Sequence, residues 1–249
     1  MKRIYVFDCP MDVATIDETV DYISDRMDRD KFTQHVVVNV AKIVNMQGDD
    51  YLSESVKNCD IINIDGMGVV WAARLLGYDI PERVAGIDLF HNLLARAAQR
   101  HIPIFLLGAE RGVIERTAQV VANRYPGLDI AGFHHGYFWQ EEERVVELIS
   151  KSGAKMLFVA ISSPLKENFI NKWRDKLGVT FVMGVGGSFD VVAGRVSRAP
   201  QWMQRMGLEW VFRVLQEPRR MWKRYLVTNS RFALMLLDAW RRRPANAER

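Results

Sequence analysis

Residues 59–89, CDIINIDGMGVVWAARLLGYDIPERVAGIDL, contain the change of period that sets the fold. A short apolar run carrying Ile61, Ile62 and Ile64 gives way, at Asp65-Gly66-Met67-Gly68, to a helical pattern opening with Val69-Val70-Trp71. Asp65 is therefore expected where a strand hands over to a helix. In an open α/β sheet, ligands lie beyond the carboxyl ends of the strands. A carboxylate at such an end, flanked by glycines that admit a substrate to the backbone, is placed to act as a general base. The same Asp would equally serve as the N-cap of the following helix, because Asp is among the residues preferred there.

The alternation extends outward in both directions. Strands are expected at 4–7, 36–39, 61–64, 104–107, 129–133, 155–160 and 180–184. Helices are expected at 15–27, 50–58, 69–76, 87–99, 112–124, 141–150 and 166–176. Strands separated by helices indicate βαβ units and a mostly parallel, Rossmann-like sheet flanked by helices. After Asp190 the pattern changes: from Gln201 onward it reads as helix, interrupted at Glu217-Pro218. The expected organisation is a catalytic domain over 1–194 and a helical appendage over 195–249.

Charge divides the chain at the same place. Residues 195–243 carry nine more basic than acidic side chains and four of the seven tryptophans (Trp202, Trp210, Trp222, Trp240), which leaves residues 1–194 at −5 of the overall +4. Basic residues interleaved with Trp suit an anionic membrane surface or a nucleic acid. No apolar run there approaches the ~20 residues that span a bilayer, so peripheral docking is expected. The same apolar stripe would alternatively pack on the body or form an oligomer interface. Cys9 and Cys59 show neither metal-ligand nor disulfide spacing, which fits a reducing cytosol. The start, MKRIYVFDCP, lacks the apolar core of a secretory signal, and the chain is expected to be mature as written.

Several further stretches mark strand ends. Asn39 closes Val36-Val37-Val38-Asn39, where its amide would either bond hydroxyls of a ligand or complete a turn. Arg83, in Pro81-Glu82-Arg83-Val84-Ala85-Gly86, has a donor fork suited to a diphosphate or carboxylate, or pairs locally with Glu82 or Asp79. Leu106-Leu107-Gly108-Ala109-Glu110-Arg111-Gly112 joins a strand to a helix N-terminus, where free N–H groups attract phosphate, although it is neither a GxGxxG nor a P-loop. In His134-His135-Gly136-Tyr137, Tyr137 is placed to stack on a base, while the two histidines are expected to face different ways in structural roles. Gly186 and Gly187 allow close approach of a ligand, with Asp190 available as an acceptor. Asp28-Arg29-Asp30 resembles a cation-binding Asp-x-Asp but falls at the end of a polar helix, and no metal site is expected.

These stretches, with Arg-Ala-Pro (198–200), Gly-Leu-Glu-Trp (207–210) and Glu-Pro-Arg-Arg (217–220), occur in one order between residues 36 and 225. In this the chain resembles the WecG/TagA/CpsF family of bacterial glycosyltransferases. The resemblance implies an inverting enzyme that moves a sugar from a UDP-sugar to a polyprenyl-diphosphate-linked saccharide at the cytoplasmic membrane face. It implies Asp65 as base, with Asn39 and Arg83 beside it, and a nucleotide site that includes Gly186, Gly187 and Asp190. It also implies active-site arginines in the tail, here Arg213, Arg219, Arg220 and Arg224. No cofactor, no metal and no nucleic-acid partner are implied. Two positions depart from the family pattern. Val37 replaces a Thr, and Lys166 replaces the Gln of a G-x-P-K-Q-E segment whose Glu is Glu167 and which the resemblance implies contacts the sugars; an ammonium only donates where an amide also accepts. Two other classes fit less well. A nicotinamide-dependent oxidoreductase would need a GxGxxG after the first strand, and a nucleic-acid-binding protein would need a recognisable binding motif.

Overall fold

The computed structural model describes residues 1–242 apart from the side chain of Arg220. A hairpin of β1 (Lys2–Val6) and β2 (Cys9–Val13) opens the chain, followed by α1 (Ile16–Asp28), β3 (Thr33–Val38), α2 (Val40–Met46), α3 (Asp50–Lys57), β4 (Ile61–Ile64) and α4 (Met67–Leu75). Then come α5 (Gly86–Arg100), β5 (Ile104–Gly108), α6 (Arg111–Arg124), β6 (Ile130–His134), α7 (Glu142–Lys151), β7 (Met156–Ala160), α8 (Leu165–Trp173), β8 (Phe181–Gly184) and α9 (Ser188–Val192). Three helices end the described chain: α10 (Gln201–Arg205), α11 (Glu209–Gln216) and α12 (Pro218–Arg241).

Strands β3 to β8 form one parallel sheet in the order β4-β3-β8-β7-β5-β6. Its central strands are apolar on both faces, as a sheet covered on both sides requires. Phe158 of β7, Leu106 of β5 and Phe181 of β8 meet α5 and α6 in one core, whereas Leu157, Leu107 and Val182 meet α7 and α8 in another. The fold is thus the expected α/β, Rossmann-like arrangement. All six carboxyl ends lie along one edge. The chain leaves β5 toward β6 but leaves its neighbour β7 in the opposite direction, toward β8, which creates a switch-point crevice between them.

Two elements differ from expectation. Pro10 argues against a strand at 9–13, yet β2 forms because Phe7 (φ 54°) and Asp8 (φ 58°) make a two-residue turn with both residues left-handed, the geometry tight hairpins favour. Residues 40–46, to which the sequence assigned no element, form α2, capped by Asn39 itself. The hairpin also covers the outer edge of β4: Asp12 accepts from the Ile62 N–H at 2.8 Å while paired with Arg3.

The tail packs on the body rather than standing away from it. Phe232 of α12 is buried against Phe7 of the hairpin, with ring centroids 5.1 Å apart and planes at 70°. The expected apolar stripe is divided: Met203, Met221 and Phe232 face inward, and Trp202, Met206, Trp210, Trp222 and Leu226 remain exposed. Among the described residues no helix is long and apolar enough to cross a membrane.

Candidate functional site

The carboxyl end of β4 brings Asp65 near Arg83, Glu209 and Arg213. The Asp65 N–H closes the β3–β4 ladder on Val38 O at 2.9 Å, and the Val84 N–H pins the following loop to Ile64 O at 2.9 Å. The N-cap of α4 is Gly66, with no side-chain cap bond, so Asp65 does not cap the helix. Its carboxyl instead accepts a backbone hydrogen bond from Gly86, where an added Cβ would lie 3.8 Å from Asp65 Oδ2 and 3.4 Å from Val37. Burial is the main influence and raises the carboxyl above its ordinary range; Arg83 opposes this, Glu209 adds to it, and Arg213 opposes it again. A carboxyl with raised proton affinity is a stronger base than an ordinary surface Asp.

Asn39 stands beside it. The Asn39 Oδ1 accepts from the Lys42 N–H at 3.0 Å as the N-cap of α2, and Gly66 fits against Asn39 so closely that an added Cβ would meet Asn39 Cβ at 3.1 Å. The oxygen is thus used locally, as the turn-completing alternative requires. Its amide N–H groups make no hydrogen bond among the described residues.

Arg83 does not pair with Glu82 or Asp79. Glu82 accepts from the N–H of Ile16 instead. Arg83 reaches the tail, where its Nη1 donates to Glu209 Oε2 at 2.5 Å. Arg198 lies alongside, donating twice to Asp88 at 2.6 and 2.7 Å. Arg213 of α11 is close enough to Asp65 to influence its charge. The structure therefore brings Asp65, Asn39, Arg83 and Arg213 together from four separate stretches.

Lys166 and Glu167 sit next along the edge but are buried, where the sequence reading placed them as contacts for a substrate. The Nζ atoms of Lys166 and of Lys42 each lie 2.7 Å from Glu167 Oε1, and Lys42 also donates to Val37 O at 2.8 Å. Glu167 Oε2 has no hydrogen-bond partner among the described residues. The two ammonium groups hold the Glu167 carboxyl well below the usual range, while burial and the charge of Lys42 push Lys166 down to about 8. The Lys166 stem lies against Gly184, where an added Cβ would come within 2.8 Å of it. Arg224 of α12 lies within electrostatic reach of this cluster.

At the switch point, Gly108 (φ +124°) runs so close to β7 that an added Cβ would lie 2.4 Å from Ala160 O. The Ala109 N–H donates to Ala160 O at 3.0 Å and the Ala109 carbonyl accepts from Gly136 at 2.8 Å, locking the three turns together. Glu110 begins α6 without using its side chain as a cap. It pairs with Arg195 at 2.7 Å, and Asp190 Oδ1 lies 3.9 Å from the same guanidinium nitrogen. The exposed Tyr137 is close enough to raise the Arg195 proton affinity further. Added Cβ atoms at Gly186 and Gly187 would meet nothing within 4 Å, so open space adjoins both. Glu110, Tyr137 and Asp190 are thus gathered around one arginine, with Gly108 two residues before Glu110.

The two histidines do not face apart: their rings lie 4.4 Å from one another, with His134 Nδ1 2.9 Å from the carbonyl of His135. Among the described residues no three His, Cys, Asp or Glu side chains converge as metal ligands. Arg219 is exposed on α12, and the side chain of Arg220 lies outside the described residues.

Five participants were not singled out from sequence. Glu209 and Arg198 lie in stretches that carry the family resemblance, a signal without a role. Lys42, Asp88 and Arg195 give no local signal, because a charged side chain on a helix or loop reads as solvated surface until its partner is known.

The chain is similar to known glycosyltransferases. The family model described as glycosyl transferase WecG/TagA/CpsF family matches residues 4–246. A Bacillus spizizenii protein named N-acetylglucosaminyldiphosphoundecaprenol N-acetyl-beta-D-mannosaminyltransferase is 41% identical over 169 residues, 68% of this chain and 65% of the relative, just under two thirds of its length. A Bacillus subtilis protein of the same name is 39% identical over 188 residues, 76% of this chain and 71% of the relative. With its family model matched over nearly the whole sequence, the chain belongs to the WecG/TagA/CpsF family of glycosyl transferases.

Proposed function

We propose that the protein is an inverting glycosyltransferase that moves an N-acetylhexosamine- or hexose-type sugar from a UDP-sugar to an undecaprenyl-diphosphate-linked saccharide. Such a reaction belongs to exopolysaccharide or other cell-envelope glycan assembly. The observation that carries the reading is Asp65, a carboxyl of raised proton affinity at a strand end, with Arg83 and Arg213 beside it. The names of both relatives, which specify a lipid-diphosphate-linked N-acetylglucosamine acceptor and N-acetylmannosamine transfer, support the acceptor class.

In this reading Asp65 takes the proton of an acceptor hydroxyl as that oxygen bonds to the anomeric carbon. The bond from this carbon to the UDP oxygen breaks, and its electron pair leaves with the diphosphate. Arg83, Arg213 and Arg224 offset the developing charge without a divalent cation. The surface around Arg195, with Tyr137, Glu110, Asp190 and the Gly186-Gly187 turn, takes the nucleoside. The exposed tryptophans and arginines of the tail hold the enzyme on the anionic inner face of the cell membrane.

Transfer of radiolabelled sugar from a panel of UDP-sugars to undecaprenyl-diphosphate N-acetylglucosamine, with and without EDTA, tests the reading. One UDP-sugar should be transferred at an EDTA-resistant rate. No transfer from any of them, or abolition by EDTA with rescue by Mg²⁺, would overturn the corresponding part.

A further inference from the structure

The tail meets the β4 end of the sheet through one carboxylate. Glu209 Oε2 accepts from Arg83 Nη1 at 2.5 Å, and Glu209 Oε1 lies 4.0 Å from Arg198 Nε. That Arg198 nitrogen is buried without a hydrogen-bond partner among the described residues, while the other two guanidinium nitrogens are committed to Asp88. Glu209 thus lies between two guanidinium groups, one on the Asp65 loop and one anchored to α5. The remaining N–H groups of Arg83 make no hydrogen bond among the described residues, so most of its donor fork is available to an incoming anion.

Glu209 is itself fixed from a second side. It occupies the first turn of α11, where the helix dipole favours a carboxylate. The preceding turn passes through Gly207 (φ +67°), at which an added Cβ would lie 2.7 Å from Met67 Cβ and 2.8 Å from Trp71 of α4. Only glycine permits that approach, and it sets the start of α11 directly against the helix that follows Asp65. The start of its own helix is seated on α4 and Arg198 is seated on α5, so Glu209 is held against the body from two sides. Arg83, at the end of a loop, is the partner that it restrains.

We propose that Glu209 is a positioning residue for the transfer reaction: by holding one corner of the Arg83 fork, it aims the remaining donors at the leaving diphosphate and makes that aim depend on α11 being docked. The inference rests on Arg83 contacting the diphosphate. It assigns the tail a role distinct from contributing its own arginines or reaching a membrane, because a residue of the body is set by a residue of the tail. Glu209 also places a negative charge near Asp65, which strengthens it as a base.

The test uses the full chain carrying Glu209→Gln, which keeps shape and one acceptor but removes the charge, alone and combined with Arg83→Lys. Losing a charge-assisted hydrogen bond should lower kcat roughly tenfold to a hundredfold. The acid limb of the kcat/KM profile should move to lower pH, a change that loss of packing alone would not produce. In the Arg83→Lys background, Glu209→Gln should change the rate less than about twofold, because the two residues act as a unit. Equal losses in both backgrounds, a wild-type rate, or a reduced rate with an unmoved acid limb would each overturn the proposal. If Arg83→Lys alone leaves transfer intact, the assignment of Arg83 to the diphosphate fails, and the role of Glu209 fails with it.

Discussion

Lys42 and Lys166 converge on a single oxygen, Glu167 Oε1, each at 2.7 Å, in a buried cluster with one more positive than negative charge. Folding must carry this excess charge out of water. With Lys166 pushed down to about 8 from the ordinary 10.5, the unfolded chain holds more protons than the native one between those values. Stability contributed at this site therefore rises as pH rises through that window. Urea midpoints of the wild type and of Lys166→Gln, which restores the family's amide, should differ by an amount that shifts in favour of the wild type between pH 8 and 10, on the order of 1–3 kcal/mol. A pH-independent difference would refute it.

Asp65→Asn should fold as the wild type does, because the N-cap of α4 is Gly66 and no cap bond is lost. Transfer should fall by roughly 10²–10⁴, the usual contribution of a general base. The raised carboxyl loses its basic form as pH falls through its native value. The acid limb of wild-type kcat/KM should therefore lie above the ~3.9 of a free Asp and be absent from the residual activity of the variant. Initial rates across the acid range check both.

Gly108→Ala should destabilise the protein by about 3 kcal/mol or more, since a Cβ at φ +124° would enter the Ala160 carbonyl at 2.4 Å. Gly112→Ala, four residues on, meets nothing within 4 Å and lies in α6, and should be neutral or stabilising by up to ~1 kcal/mol. Chemical denaturation of the pair separates crowding at the switch point from a general effect of replacing glycine.

Phe232→Ala removes the anchor of α12 in the hairpin core and should cost up to about 3–5 kcal/mol. Cleavage by trypsin at Arg224 and Arg231 should accelerate well before the central sheet unfolds, as limited proteolysis followed by mass spectrometry would reveal.

Replacing the exposed Trp202 and Trp222 together by Ala should weaken sedimentation with anionic vesicles and leave neutral vesicles unaffected, while the buried Met203 and Met221 keep the tail seated. Unchanged sedimentation would remove these rings from the membrane contact.

The sheet was legible because each strand from β3 to β8 is a short apolar run bounded by helical periodicity, and Asp65 was legible because it stands where that period changes. The hairpin was not: its turn depends on Phe7 adopting a left-handed conformation, which residue preference opposes. Helix α2 was hidden by Val40, Ile43 and Val44, whose β-branching matches a strand until Asn39 caps them. At the site, strand-end residues were recognisable one by one, but their partners were not. Arg83 and Glu209 are far apart in sequence, and nothing local to either indicates the other. The same holds for Lys42 with Glu167 and for Glu110 with Arg195. Exposed Asn and Asp side chains advertise a local role in turns and caps, whereas a long-range ion pair exists only once the topology is known.

The contact between Phe7 and Phe232 joins the opening hairpin to the last described helix, so it spans almost the entire described sequence. A contact of such separation closes late, after the intervening sheet has assembled and shortened the loop to be closed. During synthesis the hairpin and α2 would therefore wait, with their apolar surface uncovered, until α12 emerges. The nascent chain would be sticky on that face until α12 arrives. A delay late in translation should consequently be more harmful than one early in it.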